Sequence, residues 1–92
     1  MSYTRLTFPY KFVPFTVSIP ETAAGSGAAV DISVTTPTGY SVAGVIAWDT
    51  GGYNLFPIWG ELYYSTPRVR YWNGRTSPCG NAAAGFVVYK KN

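Results

Sequence analysis

Ninety-two residues with a formal net charge of +3, 47% apolar and only 12% charged side chains suffice for one packed core and not two, since smaller cores fail to offset conformational entropy. The usual charged share is about 25%, so Thr, Ser, Gly, Asn and aromatic rings must form much of the surface. The basic residues Arg5, Lys11, Arg68, Arg70, Arg75, Lys90 and Lys91 are scattered, short of the stripe of a dedicated nucleic-acid binder, and the absence of histidine removes the imidazole base and the commonest metal ligand.

From the N-terminus, Pro9 and Pro14 interrupt an aromatic segment that holds no apolar run of signal-peptide length, so no signal peptide is expected. Phe15-Thr16-Val17-Ser18-Ile19 alternates with period two and predicts a strand that Pro20 ends. Residues 21–27, ETAAGSG, read as a flexible connection, followed by a half-buried strand with Val30, Ile32 and Val34 on one face and Asp31, Ser33 and Thr35 on the other. TPTG supplies a turn through Pro37 and Gly39. The third strand, Tyr40 to Trp48, aligns Tyr40, Val42, Gly44, Ile46 and Trp48 on one face, with Gly44 as a gap in a bulky row.

The five-residue spacing of Gly39 and Gly44 is that of a phosphate-binding loop. Val45 and Ile46 follow where Lys and a hydroxyl are needed, which excludes that chemistry. GSGAAV from Gly25 is likewise only a fragment of a dinucleotide fingerprint, with strand period where a helix should begin. DTGGYN predicts a further turn. Tyr53–Trp59 is confined by Pro57 to an edge or bulge, and Leu62-Tyr63-Tyr64 forms a short strand. Arg68–Trp72 is a strand ending at Asn73-Gly74, a dipeptide suited to a tight type I′ turn. TSPCGN is loop, and Ala84–Lys90, apolar on both faces, is a central strand or a subunit contact. About seven short strands predict an all-β, compact antiparallel β-sandwich spanning residues 1–92 as a single domain. The longest apolar runs, Val45–Trp48 and Phe86–Tyr89, are too short to cross a membrane.

Period two also organises the candidate site. Arg68, Arg70 and Trp72 share one face of their strand, with Val69 and Tyr71 on the other. Arg75 follows just past the Asn73-Gly74 turn. Two guanidinium groups beside an indole suit a sugar ring stacked on Trp72 with its hydroxyls or an acidic group held by the arginines. They equally suit a stacking platform for single-stranded nucleic acid. A third possibility leaves no ligand: the arginines pair with Glu61 or Asp49, and Trp72 packs at an interface. Asp49 with Glu61 is the most plausible carboxylate pair for a glycosidase, but such pairs need a deep cleft. Cys79 stands alone and reads as a small residue in a Pro-Cys-Gly turn.

GYSVAGVIAW, Asn54, the Tyr63-Tyr64 pair, RVRYWNGRTS and a closing AGFVVYKKN together resemble the small C-terminal head domains of bacteriophage tail fibres and receptor-binding proteins, which are similar in architecture to adenovirus fibre heads. The matching positions are Gly39, Tyr40, Gly44, Val45, Val69, Tyr71, Asn73, Val87, Tyr89 and Lys90. The resemblance covers about the last 55 residues and implies a fibre-head sandwich, a homotrimer, and attachment to a cell-surface receptor at a virion tail or extracellular surface, with no catalysis. Aromatic residues at 17% in so small a chain independently favour an oligomer, with Phe86–Tyr89 or Phe8–Phe15 supplying the interface. The expectation is a non-enzymatic attachment domain that binds a glycan or protein receptor through Arg68, Arg70, Trp72 and Arg75, without cofactor or metal. The alternative is a small β-barrel module for single-stranded nucleic acid.

Overall fold

Alternating β-branched and aromatic residues commit this chain to strands. The computed structural model describes residues 9–52 and 56–92 and holds six strands among them: β1 (Tyr10–Thr22), β2 (Ser26–Asp31), β3 (Tyr40–Asp49), β4 (Ile58–Tyr63), β5 (Thr66–Asn73) and β6 (Cys79–Lys91). They form two antiparallel sheets of three, ordered β1-β6-β3 and β2-β5-β4. The sheets pack together with β1 against β2, β6 against β5 and β3 against β4. This is the expected antiparallel sandwich, with six strands in place of seven. No helix among the described residues is long and apolar enough to cross a membrane.

The core lies where the inner rows meet. Phe15 and Ile19 of β1, Val69 and Tyr71 of β5, and Ala83, Val87 and Tyr89 of β6 are buried, together with Ile32 and Phe56. The central position expected for the closing strand is found: β6 lies between β1 and β3. The sheets approach closely at Gly60, where an added Cβ would come within 2.5 Å of the Val45 carbonyl oxygen and 2.6 Å of its Cγ1.

Several boundaries differ from the sequence reading. β1 runs through both Pro14 and Pro20 because it is an edge strand, paired only with β6, where a missing N–H is tolerated on the open side. Its register also shifts between Ile19 and Thr22. The flexible connection shrinks to a turn closed by Ser26 N donating to Ala23 O at 3.2 Å, with Gly25 at φ 72°. β2 therefore starts earlier than expected and ends at Asp31, although Ile32 and Val34 still face the core as their alternation implies. The Pro37–Gly39 turn is present, with Tyr40 N donating to Pro37 O at 3.1 Å.

Residues 53–55 of the expected Tyr53–Trp59 segment lie outside the described residues, as do Arg5 and Phe8, and among the described residues the ladder begins at Ile58. Ile58 continues to Tyr63 as one strand, joined to β5 by a two-residue turn at Tyr64-Ser65. Asn73-Gly74 does not form a tight hairpin, because the chain crosses there from one sheet to the other. Asn73 is instead fully buried. Its Nδ2 donates to Thr22 O at 2.8 Å and Ser77 O at 3.2 Å, and its Oδ1 accepts from Arg75 N at 2.9 Å.

The largest correction concerns β3. Val42 pairs with Tyr89 and Gly44 with Val88, so Ala43 is an extra residue opposite one step of β6. Such a bulge reverses the side-chain alternation that follows it. Tyr40 and Val42 pack against the core, whereas Gly44, Ile46 and Trp48 lie on the outer face; Ile46 is 50% and Trp48 46% exposed. Gly44 fills no gap in a packed row, since a Cβ there would meet nothing within 4 Å.

Candidate functional site

The candidate site is the outer face of the β2-β5-β4 sheet. Burial of Val69 and Tyr71 forces Arg68, Arg70 and Trp72 outward, because side chains alternate along a strand. β4 adds a second row. Trp59 stands opposite Arg70, Glu61 opposite Arg68 and Tyr63 opposite Thr66, while on the other flank Asp31 faces Arg68 and Gly27 faces Trp72. Alternate positions along each strand are about 7 Å apart, so Tyr63, Trp59 and Trp72 form a line of rings with the charged groups between them.

Trp72 is 50% exposed, and the local backbone explains why it stays outside. The indole rests above Gly27, where an added Cβ would come within 2.8 Å of its Cε3, and its Cδ1–Nε1 edge lies 3.6 Å from the corresponding position on Gly74. Two glycines thus form the floor and rim of a seat that leaves the ring available. Trp59, 42% exposed, is its diagonal neighbour across Arg70.

The arginines are already engaged. Glu61 Oε1 accepts from Arg68 Nη2 at 2.6 Å and from Arg68 Nε at 3.1 Å, and Oε2 accepts from Arg70 Nε at 2.9 Å. The Arg68 guanidinium also lies 4.3 Å from the centre of the Tyr63 ring, a cation–π arrangement that orients it. Hydrogen bonds from Arg70, then from Arg68, hold the Glu61 carboxyl below its ordinary value despite partial burial, and the same contact with Glu61 raises Arg70. With Asp31 beside Arg68 in register, two guanidinium and two carboxylate groups cancel, and the face is formally neutral.

The structure therefore brings Arg68, Arg70 and Trp72 together as the alternation implied. Arg75 is placed differently: it lies in the exposed crossing between β5 and β6, held through its backbone by Asn73, and no hairpin folds it back beside Trp72. Trp59, Glu61 and Tyr63 were not singled out as ligand-binding residues. Their signal lies in the alternation of Trp59, Glu61 and Tyr63 with Gly60 and Leu62, which Pro57 before it and the Tyr63-Tyr64 pair after it obscure.

Asp49 at the end of β3 and Glu61 in β4 stand on different sheets. Asp49 accepts from Gly51 N at 2.7 Å and Asn81 Nδ2 at 3.0 Å beside a depression lined by Phe56, Pro57 and Ile58. Glu61, held ionised by two arginines, has the opposite of the raised pKa that a general acid needs. No group of three or more metal-ligating side chains occurs among the described residues. Cys79 is half-buried against the core and pairs in register with Thr22. No family model matches the chain, and neither a curated protein nor a solved structure was found to be similar to it.

Proposed function

We propose that this chain is a non-catalytic attachment domain that binds an uncharged saccharide on the outer face of the β2-β5-β4 sheet. The observation that carries this reading is the half-exposed Trp72 on its glycine seat, in line with Trp59 and flanked by arginines whose charge Glu61 and Asp31 together balance. A flat indole stacks on a sugar ring, while the unused guanidinium N–H groups and free carboxylate lone pairs meet its hydroxyls. The balanced charge favours a neutral ligand over an acidic sugar or a nucleic-acid backbone. The resemblance of the second half to phage fibre heads supports reading the domain as a homotrimer at a virion tail or another extracellular surface, presenting several copies of a weak site to one cell surface.

A glycan array followed by titration of the best ligand tests this with Trp72→Ala. Aromatic stacking is worth about 1–3 kcal/mol per ring, so affinity falls by about one to two decades while the melting temperature stays near that of the wild type. Unchanged binding, or a collapsed melting temperature, would remove Trp72 from the site. Binding that falls steeply as salt rises would instead point to single-stranded nucleic acid, because such affinity rests on counterion release.

A further inference from the structure

The outer face of the other sheet has no part in that site and is more apolar. It carries Phe12, Pro14 and Thr16 from β1, Ala84, Phe86 and Val88 from β6, and Gly44, Ile46 and Trp48 from β3, in three matched rows. Phe86 sits at the centre, its ring 6.2 Å from Phe12 in a T-shaped contact and 5.8 Å from Trp48. Ile46 is 50% and Trp48 46% exposed. Between its ends this face bears no charged side chain; Lys90 lies at one margin beside Ser41.

We infer that this face is the contact between copies of the chain. Three strands about 4.8 Å apart and ten residues long cover on the order of 500 Å² in projection, at the upper end of the apolar patch a monomer leaves open. A partner chosen by charge has nothing to pair with here, whereas a second copy offers an equally uncharged relief in which large rings (Phe86, Trp48) lie beside small residues (Gly44, Ala84, Thr16). The inference supplies the contact for the proposed assembly, and it depends neither on that assembly being three-fold nor on the saccharide.

The test is the solution mass of the full chain by sedimentation equilibrium at micromolar to millimolar concentration, with Ile46→Arg and Thr16→Arg as variants and Trp72→Ala as a control on the opposite face. The wild type is expected at a multiple of 10.0 kDa. A guanidinium buried without a partner weakens self-association by at least about 100-fold, so both arginine variants run at the monomer mass with unchanged far-ultraviolet circular dichroism. Thr16 is already exposed and polar, so its variant decides the matter if Ile46→Arg fails to fold. A wild type that remains at 10.0 kDa, or folded arginine variants that keep the wild-type mass, would overturn the inference. A dimer broken by both variants would retire the trimer and leave this contact standing, and a loss of saccharide binding alone would bear only on Trp72.

Discussion

Glu61 sets the chemistry of the candidate site more than either arginine it holds. It is one carboxylate bonded by two guanidinium groups, and together with Asp31 it converts a strand that reads as basic into a face that is formally neutral. Glu61→Gln removes that balance, and the variant should gain affinity for a single-stranded oligonucleotide, falling steeply with salt, that the wild type lacks. Equal and weak binding by both proteins in filter-binding titrations would show that Glu61 does not mask the arginines. The same residue gives the fold a pH signature. Folding lowers the Glu61 carboxyl below its ordinary value of 4.5, so the stabilisation is complete above that value and is lost as pH falls below it through the lowered folded-state value. Melting temperatures should therefore drop more below pH 4.5 in the wild type than in Glu61→Gln. Parallel curves would mean that the pairing adds nothing to stability. Tyr64 is a different kind of residue: it is 87% exposed with φ 59° at the tip of the β4–β5 turn, a left-handed backbone that costs an ordinary side chain about 1–2 kcal/mol.

Among the elements, β3 and β4 show how two glycines in similar sequence settings act in opposite ways. Gly60→Val would drive a branched side chain into the Val45 backbone where the sheets touch, and overpacking of this kind costs about 1–3 kcal/mol. Gly44→Val points into open space and should stay within about 0.5 kcal/mol of the wild type. Chemical denaturation of the two variants checks the contrast, and reversal of the order would mean that the register of β3 is misplaced. Strand positions in β1, β3, β5 and β6 were legible in the sequence, because alternation such as Val69/Tyr71 against Arg68/Arg70/Trp72 is a local signal. The inward and outward rows of β5, and with them the core of the candidate site, followed directly. The bulge was not legible: Ala43 is an unremarkable residue whose role exists only through its pairing with β6. The Tyr64-Ser65 turn was hidden because Tyr is not a turn residue. The role of Asn73 is not local either: Asn-Gly usually closes a hairpin, whereas here its amide ties the β5–β6 crossing to Thr22 and Ser77.

Among the described residues the two sheets turn two different outer faces to opposite sides of one thin core: a neutral aromatic face with polar groups between its rings, and an uncharged apolar face centred on Phe86. Under the two proposals, the chain would assemble through one and present the other. If the proposed trimer is right, light scattering gives three times 10.0 kDa, and saccharide binding on a dense surface exceeds binding of single sugars in solution. A mass of 10.0 kDa would exclude both the trimer and its avidity. The bulge in β3 decides whether the second face exists. With Ala43 in place, Ile46 and Trp48 face the water; without it, the strand would keep an unbroken alternation and one of its halves would have to turn over. In genetic terms, loss of a single codon would be enough to exchange which residues of this edge meet the solvent.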